Sequence, residues 1–272
     1  VSAAPERLSV IVITKNEERN IAACLESVRW ADEIVVVDAQ STDRTVEIVR
    51  RFTDRVVVAK WKGYVEAKNL ALRTAANDWI LWLDADERAV PGLEVEVRAA
   101  IAAGADGPVA YRIARRAYFL GRWIRHCGWY PGYVVRLFRK SSASFVPTEV
   151  HERLEVRGAT GQLASDLLHY TDENLFHYFA KFNRYTTLAA ADRRRAGRSG
   201  AVSDLVLRPP FMFFKMYVLQ RGFLDGMPGF ILSLASSAYV FAKYAKLYEA
   251  TRLSPGSGQE PPHAGPARTP QP

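Results

Sequence analysis

Trp79-Ile80-Leu81-Trp82-Leu83-Asp84-Ala85-Asp86-Glu87 sets an unbroken run of five bulky apolar residues against three carboxylates packed into the next four positions. A strand buried on both faces reads this way, and the acids mark its carboxyl end opening into a site. Ligands in open α/β sheets collect beyond the carboxyl ends of the strands. Asp84 and Asp86 are therefore placed to hold a divalent cation, Mg2+ or Mn2+, together with its phosphate ligands. An Asp-x-Asp spacing by itself is a weak signal in a chain with 13 aspartates, so the surrounding elements have to support it.

Upstream, Leu8-Ser9-Val10-Ile11-Val12-Ile13-Thr14 is rich in β-branched residues and predicts a first buried strand, closing on the polar loop Lys15-Asn16-Glu17-Glu18. Ile21, Leu25 and Val28 recur at helical spacing. Glu33-Ile34-Val35-Val36-Val37-Asp38 is a second strand ending on an acid, and Ser41-Thr42-Asp43 supplies side chains that either cap the next helix or line the site. Val56-Val57-Val58 gives a third strand, and Gly63 to Ala76 a helix carrying Lys68 and Asn69. Strand and helix thus alternate up to Trp79, the pattern of a parallel sheet with right-handed crossovers. No Gly-x-Gly-x-x-Gly follows the first strand and no Gly-x-x-x-x-Gly-Lys-Ser/Thr occurs, which argues against dinucleotide-binding and P-loop classes. Polar residues gather at three strand ends instead: Thr14, Asn16 and Glu17; Asp38, Ser41 and Asp43; Asp84 and Asp86.

Downstream, Pro91 opens a helix to about Ala103. Val109 to Leu120 and Tyr133 to Arg139 predict half-exposed strands, joined by a loop bearing Trp123, Arg125, His126, Trp129 and Tyr130. Phe145 to Glu152 reads as extended. Asp172 to Arg195 is helical, Pro209-Pro210 opens another apolar helix, and Gly226 to Ala242 holds 17 residues without a charge. That is short of the roughly 20 needed to span a bilayer. The reading is an interfacial or re-entrant pair with Lys215, Arg221, Lys243 and Lys246 at headgroup depth, or else an ordinary apolar pair packed on the domain. From Ser254, six prolines and three glycines in 19 residues predict a disordered tail.

The 272 residues carry a net charge of +8, unevenly spread. Val1 to Ala110 has 14 Lys and Arg against 18 Asp and Glu, net −4; Tyr111 to Pro272 has 23 against 11, net +12. A basic half suits phosphate-bearing partners, and the lack of any nucleic-acid-binding signature directs the expectation away from nucleic acid. Cys24 and Cys127 are too few for a disulfide framework, and Val1 to Arg7 shows no secretory pattern, so the expected address is cytoplasmic.

Val10-Ile11-Val12-Ile13-Thr14-Lys15-Asn16-Glu17, Val36-Val37-Asp38-Ala39-Gln40-Ser41-Thr42-Asp43-Arg44-Thr45, Lys68-Asn69-Leu70-Ala71-Leu72 and Leu83-Asp84-Ala85-Asp86-Glu87, in that order, resemble the family-2 inverting glycosyltransferases of GT-A fold. The resemblance covers roughly residues 8 to 155. Gly128-Trp129-Tyr130-Pro131 and Val135-Arg136-Leu137-Phe138-Arg139 look like the bacterial lipopolysaccharide core glucosyltransferase branch.

The resemblance implies an α/β, Rossmann-like GT-A catalytic domain with a mixed sheet over residues 1–155, its nucleotide-sugar half at 8–105 and its acceptor half at 106–155. A helical, membrane-associating region at 156–252 and a tail at 253–272 complete the expected organisation. It implies that Thr14, Glu17 and Asp38, with Asn16, Ser41 and Asp43 about them, meet the nucleotide, and that Asp86, with Asp84 nearby, binds the metal on the donor diphosphate. Lys68 adds charge near those phosphates or is a solvated helix lysine. Glu152, with Glu149 as the alternative, is the base; Arg125, Arg136 and Arg139 pair with acceptor phosphates or lie solvated. The expected activity is metal-dependent hexosyl transfer, from UDP-glucose, to an anionic glycolipid at the cytoplasmic face of the inner membrane. A transferase of the same fold acting on polyprenyl phosphate, or an inactive sugar-nucleotide binder, is the alternative.

Overall fold

The structure, a computed structural model, describes residues 6–104, 107–147, 152–172 and 174–253. Strands β1 (Leu8–Thr14), β2 (Glu33–Asp38), β3 (Val56–Val58) and β4 (Trp79–Asp84) form the parallel part of the sheet, in the spatial order β3-β2-β1-β4. Their β-branched runs are buried because helices cover both faces. Helices α1 (Ile21–Ser27), α2 (Thr45–Val49) and α4 (Leu93–Ala102) bury Ile21, Cys24, Leu25, Val49, Leu93 and Val97 against Val10, Val12, Leu81 and Leu83. Helix α3 (Tyr64–Thr74) lays Ala67, Ala71 and Leu72 on the other face, over Ile11, Val35, Val37 and Ile80.

Beyond β4 the sheet becomes mixed. Strands β5 (Glu87–Ala89), β6 (Ala110–Phe119) and β8 (Gly132–Arg139) are joined by β11 (Thr160–Asp172), continuing the order β4-β8-β6-β11-β5, and the two-residue β7 (Arg122–Trp123) folds back on β6. A separate hairpin, β9 (Ala143–Pro147) with β10 (Glu152–Val156), is docked by Phe145, whose ring meets Trp82 edge-on at 5.0 Å.

Two elements differ from the sequence reading. The sheet does not end at residue 155, because β11 runs parallel to β6 in its middle, so the helical region expected from residue 156 begins only at Leu175. A break in the ladder between Gln162 and Asp166 disrupts the period-two pattern that would have announced β11. Strand β5 is three residues long, too short to carry a pattern of its own.

Helices α5 (Leu175–Arg195), α6 (Val202–Phe214) and α7 (Gly226–Tyr248) follow. Pro209 and Pro210 lie inside α6 and do not open it, and Ser237 donates to the Pro209 carbonyl at 2.7 Å. Val240, Tyr244 and Leu247 of α7 pack with Ala190 of α5 and Leu205 of α6. Phe119, Ile124 and Cys127 pack with Met216 and Leu232, tying this unit to the sheet. The run Gly222–Arg252, 31 residues, is long and apolar enough to cross a membrane by length and composition.

Of the 21 exposed large apolar side chains among the described residues, 17 lie from Leu175 onward. Apolar surface concentrated in this way marks an interaction face. Lys246 does not project from it: its ammonium donates to Asn183 at 2.7 Å and Thr186 at 2.8 Å, joining α7 to α5. The tail expected from Ser254 lies outside the described residues.

Candidate active site

Register brings the strand tips level. Thr14 of β1 pairs with Asp38 of β2, and Ile13 pairs with Asp84 of β4, so the three strands end level and their polar tips share one edge. Asp38 is wholly buried and accepts from the Ser41 backbone at 2.8 Å and the Ser41 hydroxyl at 2.5 Å. The Ser41 hydroxyl in turn accepts from the Asn16 backbone at 2.8 Å. Asn16 holds a left-handed φ of 54°, which Asn tolerates better than most residues. Its side-chain oxygen accepts from the Thr42 backbone at 2.8 Å. Glu17 accepts from the Asn20 amide at 2.9 Å, at the entry to α1. Thr14, buried at the same edge, leaves its hydroxyl without a hydrogen-bond partner among the described residues. A bare buried hydroxyl is costly unless a ligand meets it.

Asp43 holds the two loops together. It accepts from the Glu18 backbone at 3.2 Å and from the Thr45 backbone at 3.0 Å and hydroxyl at 2.5 Å. Burial alone would raise its carboxyl; the Thr45 and backbone donors reverse that and hold it below the usual range. The cap reading thus describes its contacts. Asp43→Ala should lower unfolding free energy by about 1–3 kcal/mol, measured by urea denaturation; an unchanged midpoint would contradict this bracing role.

At the end of β4 the three acids part company. Glu87 is 0% exposed and accepts from Arg136 at 2.7 Å and from the Asp84 backbone at 3.0 Å. Asp84, its side chain 39% exposed, accepts from the same Arg136 nitrogen at 2.5 Å. Burial pushes Asp84 up, but the charges of Arg136 and Lys68 outweigh it and keep the carboxyl below its ordinary value. Burial, opposed by Arg136 and aided by the charge of Asp84, leaves Glu87 raised.

Arg136 is therefore neither solvated nor free for an acceptor phosphate. It is 2% exposed, and its guanidinium lies 3.9 Å from the Trp82 ring. Lys68 is likewise buried, not solvated, with its ammonium 3.6 Å from the same ring. Trp82 belongs to the apolar run, and its aromatic faces are what let two cations sit at the strand end in so little water.

Asp86 points elsewhere. Its carboxylate faces the His169 Nε2 at 3.5 Å, with both side chains partly exposed. His169 of β11 is in register with Glu87 of β5, and the Tyr170 backbone donates to the Asp86 carbonyl at 3.0 Å. The carboxylate oxygen suits Mn2+ or Mg2+, and the imidazole nitrogen beside it completes an open donor pair that Mn2+, a transition metal, accepts more readily than Mg2+. No closed cluster of three or more acidic, His or Cys ligands occurs among the described residues. That fits a site whose other ligands are phosphate oxygens and water. Eighty-three positions separate Asp86 from His169, and no local spacing in the sequence connects them.

On the acceptor side, Glu152 opens β10 opposite Pro147. The Glu152 side chain, Glu149 and His151 lie outside the described residues. Arg139 is engaged by Glu6 at 2.7 Å and Asp78 at 3.4 Å. Arg125 remains exposed and lies 4.2 Å from the Trp123 ring, whose other cation is Arg116 at 4.9 Å. Arg116 pairs with buried Asp166 at 2.5 Å, which also accepts from the Tyr130 hydroxyl at 3.3 Å.

Comparison with known proteins bears on this arrangement in three ways. The Glycosyl transferase family 2 profile matches residues 9–149. The lipopolysaccharide core biosynthesis glycosyltransferase LpsC of Rhizobium meliloti is 31% identical over 254 residues, 89% of this chain and 92% of that protein. An uncharacterized glycosyltransferase of Rickettsia felis is 31% identical over 257 residues, 90% of each chain. Among solved structures, the mannosyltransferase PcManGT of Pyrobaculum calidifontis, in complex with GDP-Man and Mn2+, superposes with a TM-score of 0.53 at 18% identity, covering 92% of this chain and 90% of that one. The last likeness shows the fold, a GT-A sheet. With level acidic strand tips inside the matched segment and relatives aligned along most of their length, the chain belongs to glycosyl transferase family 2.

Proposed function

We propose that this glycosyltransferase is metal-dependent and inverting, and that it transfers glucose from UDP-glucose to an anionic, lipid-linked acceptor of the lipopolysaccharide inner core at the cytoplasmic face of the inner membrane. The observation that carries the reading is the level edge of β1, β2 and β4, which sets Thr14 and Asp38 beside Asp84 while Asp86 and His169 face each other beyond it. LpsC, alike over most of its length, supports the choice of acceptor. The exposed apolar side chains of the helical unit support the membrane location.

Thr14, Asp38 and the Asn16–Glu17 loop would meet the nucleoside, whose imide and ribose hydroxyls need acceptors and donors of this kind. Asp86 and His169 would hold the cation, which supplies the charge that offsets the departing diphosphate. Lys68 and Arg136 keep Asp84 ionised and set the local charge balance, so the pair Asp84–Arg136 positions more than it reacts. In the transfer, the acceptor oxygen attacks the anomeric carbon and the bond from that carbon to the phosphate oxygen breaks. The bonding pair leaves with the diphosphate, and the acceptor proton passes to Glu152.

Release of UDP from UDP-glucose by the purified protein with Mn2+ or Mg2+, and transfer onto a purified core glycolipid, test the proposal. Chelation with EDTA should remove the activity and added Mn2+ restore it. EDTA-resistant turnover would overturn metal dependence, and an α-linked product by NMR would overturn inversion. Transfer to polyprenyl phosphate with none to the glycolipid would replace the acceptor.

A further inference from the structure

A cleft of about 450 Å3 opens in the helical unit, and none of Thr14, Asp38, Asp84 or Asp86 lines it. Its size falls within the ~300–1,000 Å3 of pockets that take small organic ligands. Trp129 forms one wall, from the loop between β7 and β8, while Met212, Met216, Tyr239 and Val240 form an apolar floor. Two ammonium groups, Lys215 and Lys243, stand among them.

The charges lack a carboxylate counterpart among the described residues, and Lys243 lies 4.9 Å from the Tyr244 ring. Neither lysine forms an ion pair with a described carboxylate, and Asp204, which acts on Lys243 through space, is bonded to Arg208 instead. Burial and the positive charges of Arg193 and Arg208 hold Lys243 below the ordinary lysine range. An anion seated beside it would relieve that repulsion. Phe211, Phe214 and Phe241, the sequence neighbours of the lining residues Met212, Lys215 and Val240, are exposed. A soluble anion would use the lysines and leave the apolar floor wet.

The Trp129 wall is braced to the rest of the protein. Cys127 donates to the Gln220 carbonyl at 3.1 Å, and the Arg125 and His126 backbones donate to buried Asp225 at 3.2 and 2.8 Å. Trp129 meets Phe119 of β6 edge-on at 6.2 Å.

We propose that this cleft binds one anionic phospholipid drawn from the bilayer, its phosphate between Lys215 and Lys243 and the start of an acyl chain against Met212, Met216, Tyr239 and Val240. The site is separate from the sugar-nucleotide site and rests on the membrane location proposed above, not on the donor or acceptor. It makes the β7–β8 loop responsive to lipid, since a cleft wall and the loop that carries Arg125 are the same segment.

Trp129 reports on the cleft directly. Vesicles of equal phosphatidylglycerol and phosphatidylcholine content are prepared with bromines on the acyl chains of one lipid or the other, and tryptophan quenching is read on vesicle-bound protein. Bromines on phosphatidylglycerol should quench more than bromines on phosphatidylcholine. The excess should vanish in Trp129→Phe and in Lys215→Gln/Lys243→Gln, with circular dichroism confirming that both variants fold. Equal quenching by either lipid, or an excess that survives in both variants, overturns the proposal. A short-chain brominated phosphatidylglycerol kept monomeric separates the cleft from the membrane reading. Quenching by it without vesicle binding retains the cleft and removes the membrane location; no Trp129-dependent quenching by either form ends the proposal.

Discussion

Asp86→Ala should lower donor turnover by about 10³-fold at saturating UDP-glucose while leaving the unfolding midpoint nearly unchanged, a loss of about 4 kcal/mol of transition-state stabilisation. The size follows from what is removed. Asp86 is the carboxylate aimed out of the β4 tip toward His169, and no arginine among the described residues is bonded to it, so its charge is available to a cation. Asp84, two positions before it with Ala85 between, is already committed to Arg136. His169→Ala should act in the same direction with a smaller loss, because the carboxylate remains, and should raise the Mn2+ concentration needed for half-maximal activity. Full metal-dependent turnover in Asp86→Ala would show that the cation is held elsewhere. An equally large drop in the midpoint would show that the residue is structural.

Arg136→Met should be the most destabilising of the substitutions considered, costing about 3–5 kcal/mol. The guanidinium is 2% exposed and faces Glu87, which is 0% exposed, and Asp84. Without it two carboxylates crowd one strand end with only Arg115, 3.8 Å from Glu87, and the charge of Lys68 on Asp84 left to offset them. The double substitution Arg136→Met/Glu87→Gln should recover a large part of the loss, since it removes the buried charge that the single change strands. A double variant no more stable than the single one would refute the ion-pair account.

The effect should also depend on pH. Asp84 is held below its ordinary value, so its contribution is present above the unfolded carboxyl range, near pH ~4, and fades as the pH falls through the lower folded value. Glu87 is raised, so folding shifts it toward the protonated form and its contribution runs the other way, present below the unfolded value and lost as the pH rises through the folded one. Arg136 favours the ionised form of both. The gap between wild type and Arg136→Met should therefore be widest near neutrality and close in acid, as measured by urea denaturation across pH.

These two residues also show why the site was only partly legible. Asp86 could be placed from the sequence because its position depends on one strand: an apolar run fixes where β4 ends, and the acid after it must leave the sheet. Arg136 could not. In the sequence it is one of several arginines on a half-exposed strand, open to acceptor phosphate or to solvent. Only the pairing of β8 with β4, Ile80 opposite Phe138 and Leu81 opposite Leu137, carries it under Asp84 and beside Trp82. Lys68 follows the same logic, since a helix lysine reads as solvated until α3 is laid over Trp82.

The sequence by itself determined the four parallel strands β1 to β4, the acids at their tips and the family, because each rests on a local pattern of a few consecutive residues. Tertiary structure alone decided that Asp84 and Glu87 are neutralised by a buried arginine, that β11 enters the sheet and brings His169 to Asp86, and that the helices enclose a lysine-bearing cleft. Those features come from pairs far apart in the chain. Their meeting depends on strand order and packing, and a one-dimensional period carries no information about either.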